Sequence, residues 1–451
     1  MKPLATIILT LTGLAFAQQS SSRMPPVKFT DTTLDNGLRV IISEDHFAPV
    51  YAIAITYKVG SRDERPGHTG FAHLFEHMMF RGSENVGPGE HFYTIFTKGG
   101  NMSGNTNTDR TSYSEVLPKN QVDLGLYLEA DRMRSLAVTK ENLDNQRQAV
   151  KEERRQSFDS QPYGETQEKV DDLVYDSFPY KHSVIGSMAD LDAASVEDVQ
   201  QFFKTYYAPN NAVLALAGDL DTKETLDKVK KYFGGIPRQP APKPAELVEP
   251  EKTGERRARL EDRLGPYIRL EMVYRIPEAT NPDSRALYVA ASILGSGENS
   301  RLYQALVKEK KTAVQVLCIE DGRAGPSTLR VVAYVRPGKE PADVETAITE
   351  EIAKLSADPV SDRELGLVRS SIKRAFPSSR ENVLNTAITL ADDAALFNDP
   401  NRINTESDKL LAVTAADIQK AAKTWLRSNN RVVVMTEPAT RQSMSPAKPQ
   451  N

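Results

Sequence analysis

The sequence predicts an α+β protein of two homologous α/β-sandwich lobes, each a mostly antiparallel sheet with helices on one face, joined by a proline-rich linker. Three observations carry this. The segment SVEDVQQFFKTYYAPNNAVLALAGD (Ser195 to Asp219) aligns without a gap on TAADIQKAAKTWLRSNNRVVVMTEP (Thr414 to Pro438), an offset of 219 residues. A weaker echo sets YAIAITYKVG from Tyr51 over YIRLEMVYRI from Tyr267 at nearly the same offset. Between the copies, IPRQPAPKPAELVEPEKTGERR (Ile236 to Arg257) has the Pro and charge content of a semi-rigid linker able to hold two lobes apart.

Read in order, the chain opens with MKPLATIILTLTGLAFAQQS. Lys2, an apolar run from Leu4 to Leu14 and an Ala15-Phe16-Ala17 cleavage site describe a secretory signal over residues 1–17. The run is too short to span a bilayer, and no stop-transfer run follows, so no membrane span is expected. The single cysteine, Cys318, excludes an intrachain disulfide and a Cys-based zinc site. A secreted, disulfide-free chain suits a bacterial periplasm or exterior. The N-terminal lobe is expected over 26–235, the linker over 236–257, the homologous lobe over 258–440 and a disordered tail over 441–451. A length of 451 residues with 39% hydrophobic and 26% charged content fits a globular protein of at least two domains. A net charge of -4 without a basic block gives no pull toward nucleic acid.

Periodicity and capping residues predict helices near 70–80, 120–136, 140–158 and 195–207, then near 283–294, 300–308, 362–375 and 415–425. Both repeat copies begin with Ser or Thr as N-cap and Asp three residues on, Asp198 and Asp417. Each passes through Asn-Asn into a β-branched and apolar strand.

The segment GHTGFAHLFEHMMF, Gly67 to Phe80, holds three of the chain's six histidines. His73 and His77 are four residues apart and share one helical face, with Glu76 at its border. The remaining residues are apolar nearly all round, so the helix is buried on most sides and its polar stripe needs a common partner. Two imidazoles on one face supply two zinc ligands, and the neighbouring carboxylate is placed to take a proton from an attacking water. The pattern H-x-x-E-H is the inverzincin motif. The bland alternative is a pair of core histidines satisfied by backbone carbonyls.

A catalytic zinc wants a third protein ligand, and NLDNQRQAVKEERRQSF (Asn142 to Phe158) offers one. Leu143, Gln146, Val150, Glu153 and Ser157 fall on one helical stripe, which turns Glu153 inward and Glu152 toward the charged face. Composition alone would leave both as exposed glutamates.

These stretches, with GGNMSGNTNTDRTSYSEVLP, YKHSVIGSMADLDAASVEDVQQFFKTYYAPNNAVLALAGD and SGENSRLYQALVKEK, resemble the inverzincin metallopeptidases, the group of pitrilysin, insulin-degrading enzyme and the mitochondrial processing peptidase. The resemblance covers nearly the whole mature chain. It implies a zinc-dependent endopeptidase with one Zn2+ per chain held by His73, His77 and Glu153, and Glu76 as the catalytic base. It also implies a clamshell arrangement with substrate peptides in a closed chamber, added as a strand to a sheet edge near Ser103, Gly104 and Asn105. Three departures stand out. Gln146 occupies a position beside the third ligand where the family often has Glu. Ser103-Gly104 replaces Asn-Ala or Asn-Gly. An Arg and a Tyr that reach the substrate across the chamber in complete enzymes become Lys308 and Gln315, which lack the planar fork and the phenol. The departures imply a homodimer, or a heterodimer with a related subunit that supplies the Arg–Tyr pair. The alternative is a catalytically silent scaffold, like the respiratory core subunits of the family; a small-molecule hydrolase using the same zinc has nothing in its favour. His68 and His91 are expected not to be ligands.

Overall fold

The computed structural model describes residues 25–439. The expected signal segment and the expected tail lie outside the described residues.

Two sheets organise the chain. The first contains β1 (Thr30–Thr33), β2 (Arg39–Glu44), β3 (Val50–Tyr57), β4 (Asn101–Thr106), β5 (Thr111–Pro118) and β6 (Ala212–Gly218), in the order β1-β2-β6-β3-β5-β4. The second contains β7 (Arg256–Asp262), β8 (Arg269–Ile276), β9 (Ala313–Asp321), β10 (Ser327–Val335) and β11 (Arg431–Pro438), in the order β7-β11-β8-β10-β9. Without β1 the two orders superpose. In each sheet one pair is parallel, β2 with β6 and β7 with β11, and the other pairs are antiparallel.

The repeat is visible at single residues. Ser195 and Thr414 each cap their helix by accepting the N–H of the Asp three residues on. Asn211 and Asn430 then tie the end of that helix to the neighbouring strand. Their amides donate to Tyr206 O (2.9 Å) and Trp425 O (2.8 Å), and onward to Lys58 O (3.4 Å) and Arg275 O (2.6 Å). The Asn-Asn pair therefore sets the corner that turns a helix into a central strand.

Each sheet packs one face on helices of its own half, as expected. Tyr51, Ile53 and Ile55 of β3 point into a core with Phe75, Leu126 and Val199, and Leu270, Met272 and Tyr274 of β8 do the same against Leu287, Leu294 and Ile418. The second faces are where the expectation of helices on one face falls short, because they are covered by an exchange of helices. Helix Val383–Phe397, from the C-terminal half, lays Ala387, Leu390, Ala391 and Ala394 on Ala52, Ala54, Ala215 and Ala217 of the first sheet. Helix Gly164–Val174, from the N-terminal half, lays Val170 and Val174 on Val273, Val432 and Val434 of the second. Strands buried on both faces read as continuous apolar runs, which is what YAIAITY and AVLALAG are.

The linker does not hold the lobes apart. Glu249 accepts the N–H groups of Asp176 (2.8 Å) and Ser177 (3.0 Å) and pairs with Arg275 (2.9 Å), which straps the segment across both halves. Direct bonds join the halves as well, including Tyr163 hydroxyl to Tyr267 O (2.8 Å) and the Thr166–Thr436 hydroxyl pair (2.8 Å).

Candidate metal centre

The histidine helix spans Phe71–Met78 and begins after Gly70, whose φ of 84° lies in the left-handed region. A Cβ there would meet the Ile185 carbonyl oxygen at 2.6 Å, so glycine is required twice over. Glycine has no side chain with which to cap the helix, and the first N–H groups would be orphaned in a dry place. Glu64, whose side chain is fully buried, fills the role by accepting from Gly70 N (2.9 Å) and Ala72 N (2.8 Å). Burial outweighs those bonds and pushes its carboxyl well above the usual range. Phe71, Ala72, Leu74, Phe75 and Met78 anchor the helix, with Phe75 against Phe202, Phe203 and Tyr207. That packing leaves His73 and His77 one turn apart on the remaining face, ring centroids 4.8 Å apart.

The facing helix, Lys140–Arg154, buries Leu143, Gln146 and Val150, and the same stripe brings Glu153 to both rings. Its Oε2 lies 3.2 Å from His77 Nε2 and 3.6 Å from His73 Nε2. Ligand atoms on a tetrahedral zinc, at bonds of about 2.0–2.2 Å, are about 3.3–3.5 Å apart, so Glu153 stands at the spacing the ion needs from each imidazole, and all three donor atoms lie within 4.8 Å of one another. They are also two imidazoles and a carboxylate, the donor set of a catalytic zinc with one position left open. Gln146, buried on the same stripe, interacts with His77 and partly offsets the burial that lowers that ring's pKa. Burial holds both imidazoles below their ordinary pKa, His73 at about 4, so they are neutral and present lone pairs. Glu152 points away, to Arg155 and Gln156. Ser157 leaves the stripe, because the helix widens into a π-turn over Arg155–Asp159.

Glu76, 9% exposed, stands on the same helix beside strand β4, which has β5 on one side and no strand on the other. Thr106 of β4 donates its hydroxyl to Glu76 Oε2 at 2.6 Å. Glu76 Oε1 faces Gly104, where a Cβ would come within 2.9 Å. One carboxylate oxygen is thus held and the other left free at the strand edge. Burial raises the Glu76 pKa, and the Thr106 bond opposes it. Ser103 and Asn105 are exposed on the same edge. Lys308 and Gln315 are not brought to this site. Lys308 lies over the Tyr303 ring and Gln315 sits on β9, the edge of the second sheet, opposite Tyr334.

The other histidines lie elsewhere. His68 contacts Arg65 and Asp198. His91, Glu115 and Glu129 form a second buried group of donors, but His91 Nε2 is 2.5 Å from Glu115 Oε1, a hydrogen-bond distance too short to straddle an ion. Arg132, paired to Glu129 and 4.5 Å over the Tyr113 ring, supplies the positive charge there. Sequence reasoning missed Glu64 and Thr106. The bare glycine cap was a signal for the first; the second has none, because only the sheet register brings Thr106 to Glu76.

Comparison with known proteins places the chain in a family. Residues 39–187 match the family model for insulinase (peptidase family M16), and residues 193–372 match the peptidase M16 inactive domain. The zinc protease PqqE of Helicobacter pylori is 27% identical over 442 residues, spanning 96% of this chain and 98% of that protein. A crystal structure of a protease from Helicobacter pylori superposes with a TM-score of 0.87 at 26% identity, over 92% of this chain and all of that one. The periplasmic protease PqqL of Escherichia coli shares the fold at a TM-score of 0.77 and 19% identity; 95% of this chain covers 50% of it.

Proposed function

The chain belongs to the insulinase (M16) family of peptidases, and from that premise and the site's geometry we propose that it is a zinc-dependent endopeptidase acting on peptides or unfolded segments. The observation that supports it most is the convergence of His73, His77 and Glu153 at zinc-ligand spacing beside a buried carboxylate with one free oxygen. Zinc held by these three residues supplies Lewis acidity, lowering the pKa of water and polarising a scissile carbonyl. Glu76 Oε1 takes the proton of the attacking water and returns it to the departing amine nitrogen. Burial raises its pKa above that of an ordinary carboxylate, the direction that helps a base return its proton. Thr106 keeps the carboxylate from rotating. The open edge of β4, with Ser103, Gly104 and Asn105, aligns the peptide as an added strand, and the small Gly104 lets its backbone approach Glu76.

The chain works as the zinc-bearing subunit of a dimer. Lys308 and Gln315 stand where the family resemblance places the Arg–Tyr pair, which favours a second subunit that completes the chamber. A scaffold without chemistry would have no use for the converging donors. Secretion to the periplasm or exterior follows from the N-terminal segment.

The test is cleavage of a quenched peptide library by the chain with one equivalent of zinc, alone and with any similar-sized chain that co-purifies from its source. Activity that a chelator removes and zinc restores is the expected result. A zinc-loaded chain silent in every assembly would refute the proposal.

A further inference from the structure

An outermost strand frays unless something besides its single neighbour holds it. Strand β4 is held through its turn to β5, residues 107–110, and the C-terminal half supplies the hold on both sides. On one side Asp109 Oδ2 accepts the Ala324 N–H at 2.8 Å. Its Oδ1 accepts from Arg62 (2.7 Å) and from the Tyr180 hydroxyl (2.6 Å), which in turn accepts the Gly325 N–H at 3.0 Å. On the other side Arg110 Nε donates to Asp392 Oδ2 at 3.0 Å. The same guanidinium reaches back with Nη1 to the carbonyl oxygen of Asn105 (2.9 Å) and to its side-chain oxygen (2.7 Å).

Asp392 stands on the exchanged helix Val383–Phe397, and its second oxygen accepts the Thr56 hydroxyl at 2.7 Å. The side chains of Arg110 and Asp392 are only 12% and 21% exposed, so this pair is screened far less than a surface ion pair. Asn105 lies between Gly104, beside the free oxygen of Glu76, and Thr106, which holds the other. A continuous path of bonds therefore runs from the C-terminal half to the part of β4 that faces the base. The apolar contacts of the helix come from Ala387, Leu390, Ala391 and Ala394, to which Asp392 adds its polar contacts with Thr56 and Arg110.

We propose that Asp392, with Arg110 as its arm, is a positioning residue through which the C-terminal half fixes the substrate edge of β4. The inference rests on the proposed reading of β4 as the edge that aligns a peptide. It gives the C-terminal half a part in substrate binding through the placement of β4.

The experiment compares wild type, the isosteric Asp392→Asn and the charge-conserving Asp392→Glu as zinc-loaded full chains, in whichever assembly is active. Hydrogen exchange of residues 101–110 reads the strand, zinc per chain reads the metal site, and steady-state cleavage of one quenched decapeptide separates KM from kcat. Asp392→Asn should speed exchange over 101–110 on the order of tenfold, as expected for loss of one shielded charge-assisted bond. It should raise KM by a similar factor, leaving kcat and zinc content at wild-type values. Asp392→Glu should recover part of both effects. Unchanged exchange would overturn the proposal, and so would faster exchange with unmoved KM, which would make the contact merely structural. A wild-type chain that cleaves nothing in any assembly would overturn the peptidase reading and with it the substrate role. The exchange arm would then still decide whether Asp392 holds the strand.

Discussion

Thr106→Val removes one hydroxyl and keeps the shape of the side chain. The lost bond is the 2.6 Å contact to Glu76 Oε2, on a carboxylate that is 9% exposed and so has little water to replace it. A hydrogen bond to a charged group is worth about 1.5–3 kcal/mol, and if that loss falls on the aligned base, kcat/KM drops roughly 10- to 150-fold. The sign of the pH effect also follows. The Thr106 bond lowers the Glu76 pKa against the upward push of burial, so its removal lets the pKa rise. A base must be ionised to act, so the acid limb of the kcat/KM profile moves to higher pH. The assay is cleavage of one quenched peptide from pH 5 to 9, with zinc per chain measured on the same samples. A kcat/KM within about twofold of wild type, an acid limb moved to lower pH, or a loss of zinc would each refute the reasoning.

Other side chains give separate tests. Glu153→Gln removes the only carboxylate among the three donors, and zinc affinity measured by chelator competition should fall by more than the 10- to 100-fold typical of losing a supporting residue around a metal. Glu64→Ala orphans two helix N–H groups in a buried site, a cost of about 1–3 kcal/mol each. Urea unfolding of the zinc-free protein should show that loss, with Glu64→Gln milder because it keeps an acceptor; equal midpoints would show that the cap contributes nothing. Glu320 has a pKa raised to about 7, first by burial and then by Asp321. Its folded form keeps a proton that the unfolded chain has lost, so its contribution to stability falls as pH rises from about 4.5 to about 7 and is flat above. Glu320→Gln should match wild type near pH 4 and exceed it by up to about 3 kcal/mol at pH 8; a difference independent of pH would contradict this.

The duplicated fold was legible because its signal is local. Ser195 and Thr414 cap, Asn211 and Asn430 turn the corner, and each does so within 25 residues of contiguous sequence. The histidine pair and the inward turn of Glu153 were legible for the same reason, since helical periodicity fixes which residues share a face. What the sequence hid depends on the tertiary path. No periodicity reveals that helix Val383–Phe397 covers the other half's sheet, although the small residues of Ala52, Ala54, Ala215 and Ala217 are what admit it. The linker's composition suggested a spacer, and only the register of Glu249 against Asp176 and Ser177 shows a strap. Thr106 and Asp392 are ordinary polar residues until the sheet and the exchanged helix bring them to Glu76 and Arg110.

The central claim is that His73, His77 and Glu153 hold zinc while Glu76, which does not, performs the proton transfer. The measurement that tests it most directly is zinc content and peptide turnover, side by side, for wild type and Glu76→Gln in the active assembly. The account predicts one zinc per chain in both and turnover abolished in the variant. Turnover retained without the carboxylate, or zinc lost with it, would contradict the assignment.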